Sequence, residues 1–153
     1  MKKNVIVLLL AAVLVLCAQP VFAADQSEIE CLEDGGYFIT TMEDQTPLSI
    51  IPLALTTKTK SKTVTYYNSA DKPMWFVKVT GTFTYGNGSA TCKNATVSTG
   101  SHVAAWKISS KSASKNANKA IGRVTAKRYL NGHVVETKPK TVTLTCSPKG
   151  NFS

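Results

Sequence analysis

A period of two constrains this chain more than any other feature. In Pro73–Tyr85 the odd positions read Trp75, Val77, Val79, Gly81, Phe83 and Tyr85, while the even ones become Lys- and Thr-rich from Lys78 on. Successive side chains of a strand point to opposite faces, so this pattern specifies a half-buried strand, with Gly81 a candidate bulge or kink. No window of ten or more residues after residue 23 has the 3.6-residue spacing of an amphipathic helix.

Further segments follow the same rule. Gly86-Asn87-Gly88 turns the chain into a returning arm at Ser89–Cys92. Val103–Ser109 is expected as a strand carrying Trp106 and Ile108. Lys119–Leu130 places Val124, Ala126 and Leu130 on one side and Arg123, Thr125 and Lys127 on the other. Asn131-Gly132 is a type I′ hairpin signal, followed by an arm at His133–Thr137. Lys140–Cys146 sets Val142, Leu144 and Cys146 inward. Between these, Ser109–Asn118 (SSKSASKNAN) reads as a polar loop. Roughly seven short strands separated by turns predict an all-β antiparallel β-sandwich of immunoglobulin-like architecture, with a small barrel as the alternative.

The start of the chain reads differently. Lys2 and Lys3 precede an apolar run from Val5 to Ala18, Pro20 breaks it, and Val21-Phe22-Ala23 supplies a small residue for cleavage. Residues 1–23 are thus expected to be a signal peptide cut after Ala23, with Ala24 the neighbouring option, and the mature protein is expected to be secreted. The run is short for an uncleaved anchor, and bulky Leu16 before Cys17 argues against a lipid attachment site. Residues 24–60 are expected to be a weakly structured acidic segment and linker. Asp34-Gly35-Gly36 marks a turn, Tyr37–Met42 a short strand, and Pro47 and Pro52 disfavour a central strand. The polar run Thr56–Lys62 reads as a boundary before a β-sandwich domain at 61–153.

Charge divides along the same line. Residues 24–50 contain Asp25, Glu28, Glu30, Glu33, Asp34, Glu43 and Asp44 and no Lys or Arg. After residue 50, fourteen Lys plus Arg123 and Arg128 stand against only Asp71 and Glu136. Of the four cysteines, Cys17 leaves with the leader; Cys92 and Cys146 each end a Thr-rich strand pattern and form the candidate disulfide, and Cys31 is left over.

The stretches KTVTYYNSADKPMWFVKVTGTFTYGNGSATC, AWKISSKSASKNANKA and VTLTCSPKGNFS, with a shorter echo at Leu32–Tyr37, resemble a family of small secreted proteins of clostridia-like Gram-positive bacteria whose activity is uncharacterised. The resemblance spans about residues 57–153. It implies a secreted, β-rich protein and carries over no catalytic residue.

Residues that bear chemistry are sparse. His102 and His133 are the only histidines, and the body offers two carboxylates, too few for a metal site; Asp71 in a turn before Pro73 and Glu136 on a hairpin arm beside Lys138 do not read as a placed acid–base pair. No nucleophile motif occurs, and a Cys–His pairing would have to recruit Cys31 with a distant histidine. Lys78 and Asn116 are conceivable partners for an internal isopeptide bond. Trp75, Trp106, Tyr66, Phe83 and Tyr85 suggest a sugar-stacking platform, but the shared parity of Trp75, Phe83 and Tyr85 assigns these three to the core, and Trp106, alternating with Lys107, is expected to be buried too. No enzyme, cofactor or metal is expected, and no nucleic-acid motif is present. The basic body suggests a different partner: an anionic cell-wall polymer, lipid head group or acidic glycan, met through diffuse lysine charge. The acidic segment would then mask part of that charge. A secreted effector or bacteriocin-like protein is the alternative.

Overall fold

A computed structural model describes residues 27–44 and 55–153. The leader with Ala23 and Ala24, Cys17, Pro47 and Pro52 lie outside the described residues. Eight strands form: β1 (Glu28–Cys31), β2 (Tyr37–Asp44), β3 (Thr56–Tyr67), β4 (Pro73–Gly86), β5 (Ser89–Ser101), β6 (Trp106–Asn116), β7 (Lys119–Leu130) and β8 (His133–Thr145). They make two antiparallel sheets, β1-β2-β3-β4-β5 and β6-β7-β8, stacked like a sandwich, with no helix among the described residues. Each sheet follows chain order, whereas an immunoglobulin domain links its strands by Greek-key connections.

The alternation read from the sequence is what closes the two layers. Trp75, Val77, Val79 and Phe83 of β4 are fully buried and meet Ala120, Val124 and Ala126 of β7 and Val142 and Leu144 of β8. The sheets approach so closely at Gly81 that a Cβ there would sit 2.8 Å from the Cβ of Ala120. Gly81 is thus a close-approach glycine. The neighbouring bulge belongs to β5, where Lys93 is the extra residue between Thr82↔Asn94 and Phe83↔Cys92. The even face of β4 bonds to β3 through a hydroxyl ladder, Ser61 to Thr80 at 2.7 Å and Thr59 to Thr82 at 2.9 Å. At one end of the core Phe38, Tyr66, Trp75 and Trp106 pack ring to ring at 5.4–6.3 Å. Trp75, Phe83 and Trp106 are core, as their alternation required, Tyr66 joins them, and Tyr85 is half-buried against the core.

Several boundaries move. Residues 28–44 are not a weakly structured lead: β2, which contains the expected strand Tyr37–Met42, pairs in register with β3 from Tyr37↔Tyr67 to Asp44↔Lys60, and β1 pairs with β2. The run Thr56–Lys62 is the first half of β3, not a linker. Ser109–Asn118 is mostly strand β6, and the arm at His133–Thr137 and the strand at Lys140–Cys146 are one strand, β8. The β6–β7 turn places Ala117 at φ 49°, a conformation L-residues seldom adopt. Two backbone N–H groups clasp that turn: Cys92 donates to Ala117 O at 2.7 Å and Cys146 to Asn118 O at 3.0 Å.

Candidate anion-binding face

β7 presents two faces. Ala120, Gly122, Val124 and Ala126 turn inward and are buried, which sends Lys119, Arg123 and Lys127 outward. Register adds the neighbours. Lys107 lies opposite Lys127, Ser112 opposite Arg123, and Asn116 opposite Lys119 on β6. Thr137, Thr141 and Thr145 lie opposite the same three cations on β8. The outward positions of β6, β7 and β8 include no Asp or Glu.

None of these four cations joins an ion pair among the described residues. Arg123 Nη1 donates to Ser114 Oγ at 3.3 Å, and the Lys107 ammonium lies 5.2 Å from the Tyr129 ring centroid. Lys107 and Lys127 stand directly across from each other, a like-charge pairing that costs stability. Along β7 the cations recur every four residues, roughly 13 Å apart at strand rise. That exceeds the screening length of about 8 Å at physiological salt, so each acts as a separate charge.

Most carboxylates among the described residues are committed elsewhere. Glu30 pairs with Lys140 at 2.5 Å and Asp34 with Lys138 at 2.6 Å, so two residues of the acidic segment hold the inward side of β8. Glu43 takes Lys78 at 2.7 Å, and Asp44 takes Lys60 at 2.8 Å and Lys58 at 3.1 Å. Glu136 sits between Arg128 at 2.9 Å and Lys138 at 3.2 Å. The hydrogen bond from Lys138 holds the Asp34 carboxyl below its ordinary range, with the Gly36 N–H assisting. Burial pulls Lys138 down, but Asp34 and Glu136 outweigh it and the ammonium ends above its ordinary value.

The other sequence candidates are dispersed. Asp71, in the β3–β4 turn at φ 57°, accepts a hydrogen bond from Tyr37 Oη at 3.0 Å. His102 packs against Phe76, and exposed His133 opens β8. No group of three or more His, Cys, Asp or Glu side chains suited to a metal occurs among the described residues. Lys78 points out of the five-stranded sheet and Asn116 out of the three-stranded one, so the two do not meet. Cys92, Cys146 and exposed Cys31 are free thiols; the expected Cys92–Cys146 bridge is not formed. Cys92 Sγ donates to Asn94 O at 3.2 Å and Cys146 Sγ to Ser147 O at 3.4 Å. Burial pushes the Cys146 thiol up to about 11, with Cys92 adding to the shift. A recess of 150 Å³, lined by Ser27, Glu28, Thr40, Met42, Lys62 and Ser153, is below the roughly 300 Å³ where small-molecule pockets begin.

The outward face was hidden in the sequence because β6, one of its three strands, reads as a loop from Ser109 on. Its one signal is Lys111, Ala113 and Lys115 alternating with Ser110, Ser112 and Ser114. Compared with protein-family models, with curated proteins and with solved structures, the chain has no match.

Proposed function

We propose that this is an extracellular, non-catalytic β-sandwich protein that binds an anionic polymer of a cell envelope or host surface through the outward face of β6, β7 and β8. The observation that carries this reading is Lys107, Lys119, Arg123 and Lys127 standing among Ser and Thr hydroxyls on a face without a carboxylate. A cation row at about 13 Å intervals suits a long polyanion better than one small anion, which cannot span it. Exposed lysines give diffuse attraction that rises at low salt. The extracellular half rests on the leader-like residues 1–23 and on the resemblance to secreted proteins. The non-catalytic half is supported by Asp71 and Glu136 being held by Tyr37, Arg128 and Lys138. The two-layer build is shared with immunoglobulin-like modules only in its stacking.

The test compares two triple variants of equal charge on a phosphate-bearing resin. Lys119→Ala/Arg123→Ala/Lys127→Ala is expected to weaken retention on the order of tenfold at low salt, the sum of three exposed charge contacts. Lys58→Ala/Lys60→Ala/Lys78→Ala, which removes cations already paired with Asp44 and Glu43, is expected to elute near the parent. Equal shifts in the two variants refute a specific face. A parent protein that washes through at low ionic strength refutes binding by charge.

A further inference from the structure

The β7–β8 turn carries an apolar tip that the fold does not use. Of the five large apolar side chains exposed among the described residues, three are here: Leu130 at 58%, Val134 at 48% and Val135 at 46%. The sequence pattern assigns Leu130 to the buried side of β7, yet it is open to solvent. Asn131 at φ 50° and Gly132 at φ 82° form the tight turn, in the left-handed geometry that matches strand twist. The register then slips, with Arg128↔Glu136 followed by Tyr129↔Val134, so Val135 is an unpaired bulge residue beside Val134. Isolated exposed aliphatics need no explanation; three gathered at one turn do.

The order of side chains behind the tip identifies the partner. Tyr129 lies opposite Val134, half-buried under the Lys107 ammonium, and Lys127 and Arg128 follow, Arg128 paired with Glu136. Leu130 ahead of the ring, Val134 and Val135 beside it, and unpaired Lys107 and Lys127 behind it fit a bilayer surface of acyl boundary, interface and anionic head groups. Lys127 lies three residues behind Leu130, about 10 Å at strand rise, which matches the 5–10 Å to which interfacial elements penetrate.

We propose that the β7–β8 tip docks onto anionic lipid bilayers, Leu130, Val134 and Val135 entering the acyl boundary while Lys107 and Lys127 face the head groups. The inference shares Lys107 and Lys127 with the outward face but rests on the apolar tip and not on polymer binding, and it involves no membrane span; no helix of the described residues is long and apolar enough for one.

The test is co-sedimentation of the purified protein with vesicles of phosphatidylglycerol and phosphatidylcholine in equal parts, against phosphatidylcholine alone. The parent is expected to bind the anionic vesicles and not the neutral ones. Leu130→Ser/Val134→Ser/Val135→Ser is expected to lower that binding about tenfold or more, as lost aliphatic burial requires, while retention on the phosphate resin stays at the parental level. Lys119→Ala/Arg123→Ala, which spares Lys107 and Lys127, is expected to lose resin retention while keeping tip-dependent vesicle binding, and that outcome separates the two readings. A parent that ignores anionic vesicles, or a tip variant that binds them as the parent does, overturns this one.

Discussion

Two sets of cations occupy the two faces of one three-stranded sheet, and they lead different lives. On the inward side of β8, Lys138 and Lys140 lie over the rings of Tyr66 and Phe38, at 4.9 and 4.1 Å, with ammonium groups on Asp34 and Glu30. Their stems cover aromatic surface and their side chains are only 16% and 15% exposed. On the outward side, Lys119 and Arg123 are exposed and face hydroxyls. The difference is one of strand parity, and it shows why net charge alone is a poor guide here. The acidic segment does neutralise part of the basic body, as a mask would. It does so as two strands of the five-stranded sheet, so deleting it would remove sheet structure along with charge.

The contrast breaks most decisively at the ring cluster beneath the inward lysines. Trp75 is fully buried against Phe38, Tyr66 and Trp106. Trp75→Ala is expected to cost about 3–5 kcal/mol in urea unfolding, the range for emptying an aromatic site in a core. If the outward-face triple variant destabilises the fold by a similar amount, the outward cations are structural and the contrast is wrong.

Adjacent residues on β7 sharpen it next. A Cβ at Gly122 would run into the Val79 side chain, which Val97 backs. Gly122→Ala is therefore expected to cost about 1–3 kcal/mol, the usual penalty of overpacking, without changing resin retention. Arg123→Ala, one position along and on the other face, is expected to leave stability within about 0.5 kcal/mol and to lower retention. Paired unfolding and elution measurements on these two variants decide it; a retention loss in Gly122→Ala at full folding would count against the face assignment.

Strand β4 and strand β7 were legible because their apolar residues alternate with polar ones, and Lys119–Leu130 falls on the boundaries of β7. β6 was not, since Lys, Ser and Asn fill both of its faces beyond Ile108 and a period of two then leaves no hydrophobic trace. Of the acidic strands, β2 was legible at Tyr37–Met42, but β1 and the docking of both onto the body were missed for a different reason. Their ties to the body, Asp34 to Lys138 and Glu30 to Lys140, span 104 and 110 residues of chain. No local pattern encodes such partners. The aromatic core was readable from parity, whereas the apolar tip was not, because alternation states a side of the strand and not whether the facing sheet extends that far. The outward cation face needed the β6–β7 register, which reading β6 as a loop had removed.

The smallest expected effect concerns the inward pair itself. Asp34 and Lys138 are joined at 2.6 Å, but the Asp34 side chain is 47% exposed, so solvent screens the attraction. A double-mutant cycle of Asp34→Asn and Lys138→Met is expected to give a coupling of about 0.2–1 kcal/mol at neutral pH. Its pH dependence has a definite sign. Asp34 is depressed below its ordinary value of 3.8, chiefly by Lys138, so its contribution is complete above that value and disappears as pH falls through the lower folded one. Lys138 is raised above 10.5, burial being outweighed by Asp34 and Glu136, so its contribution is complete below 10.5 and disappears as pH rises through the higher folded one. The coupling should therefore be flat between about pH 5 and 9 and decline at both extremes. A coupling that instead changes near neutrality would assign the titration to another group, and one well above 1 kcal/mol would mean that the acidic strand is held to β8 by charge more than by the packing around Phe38 and Tyr66.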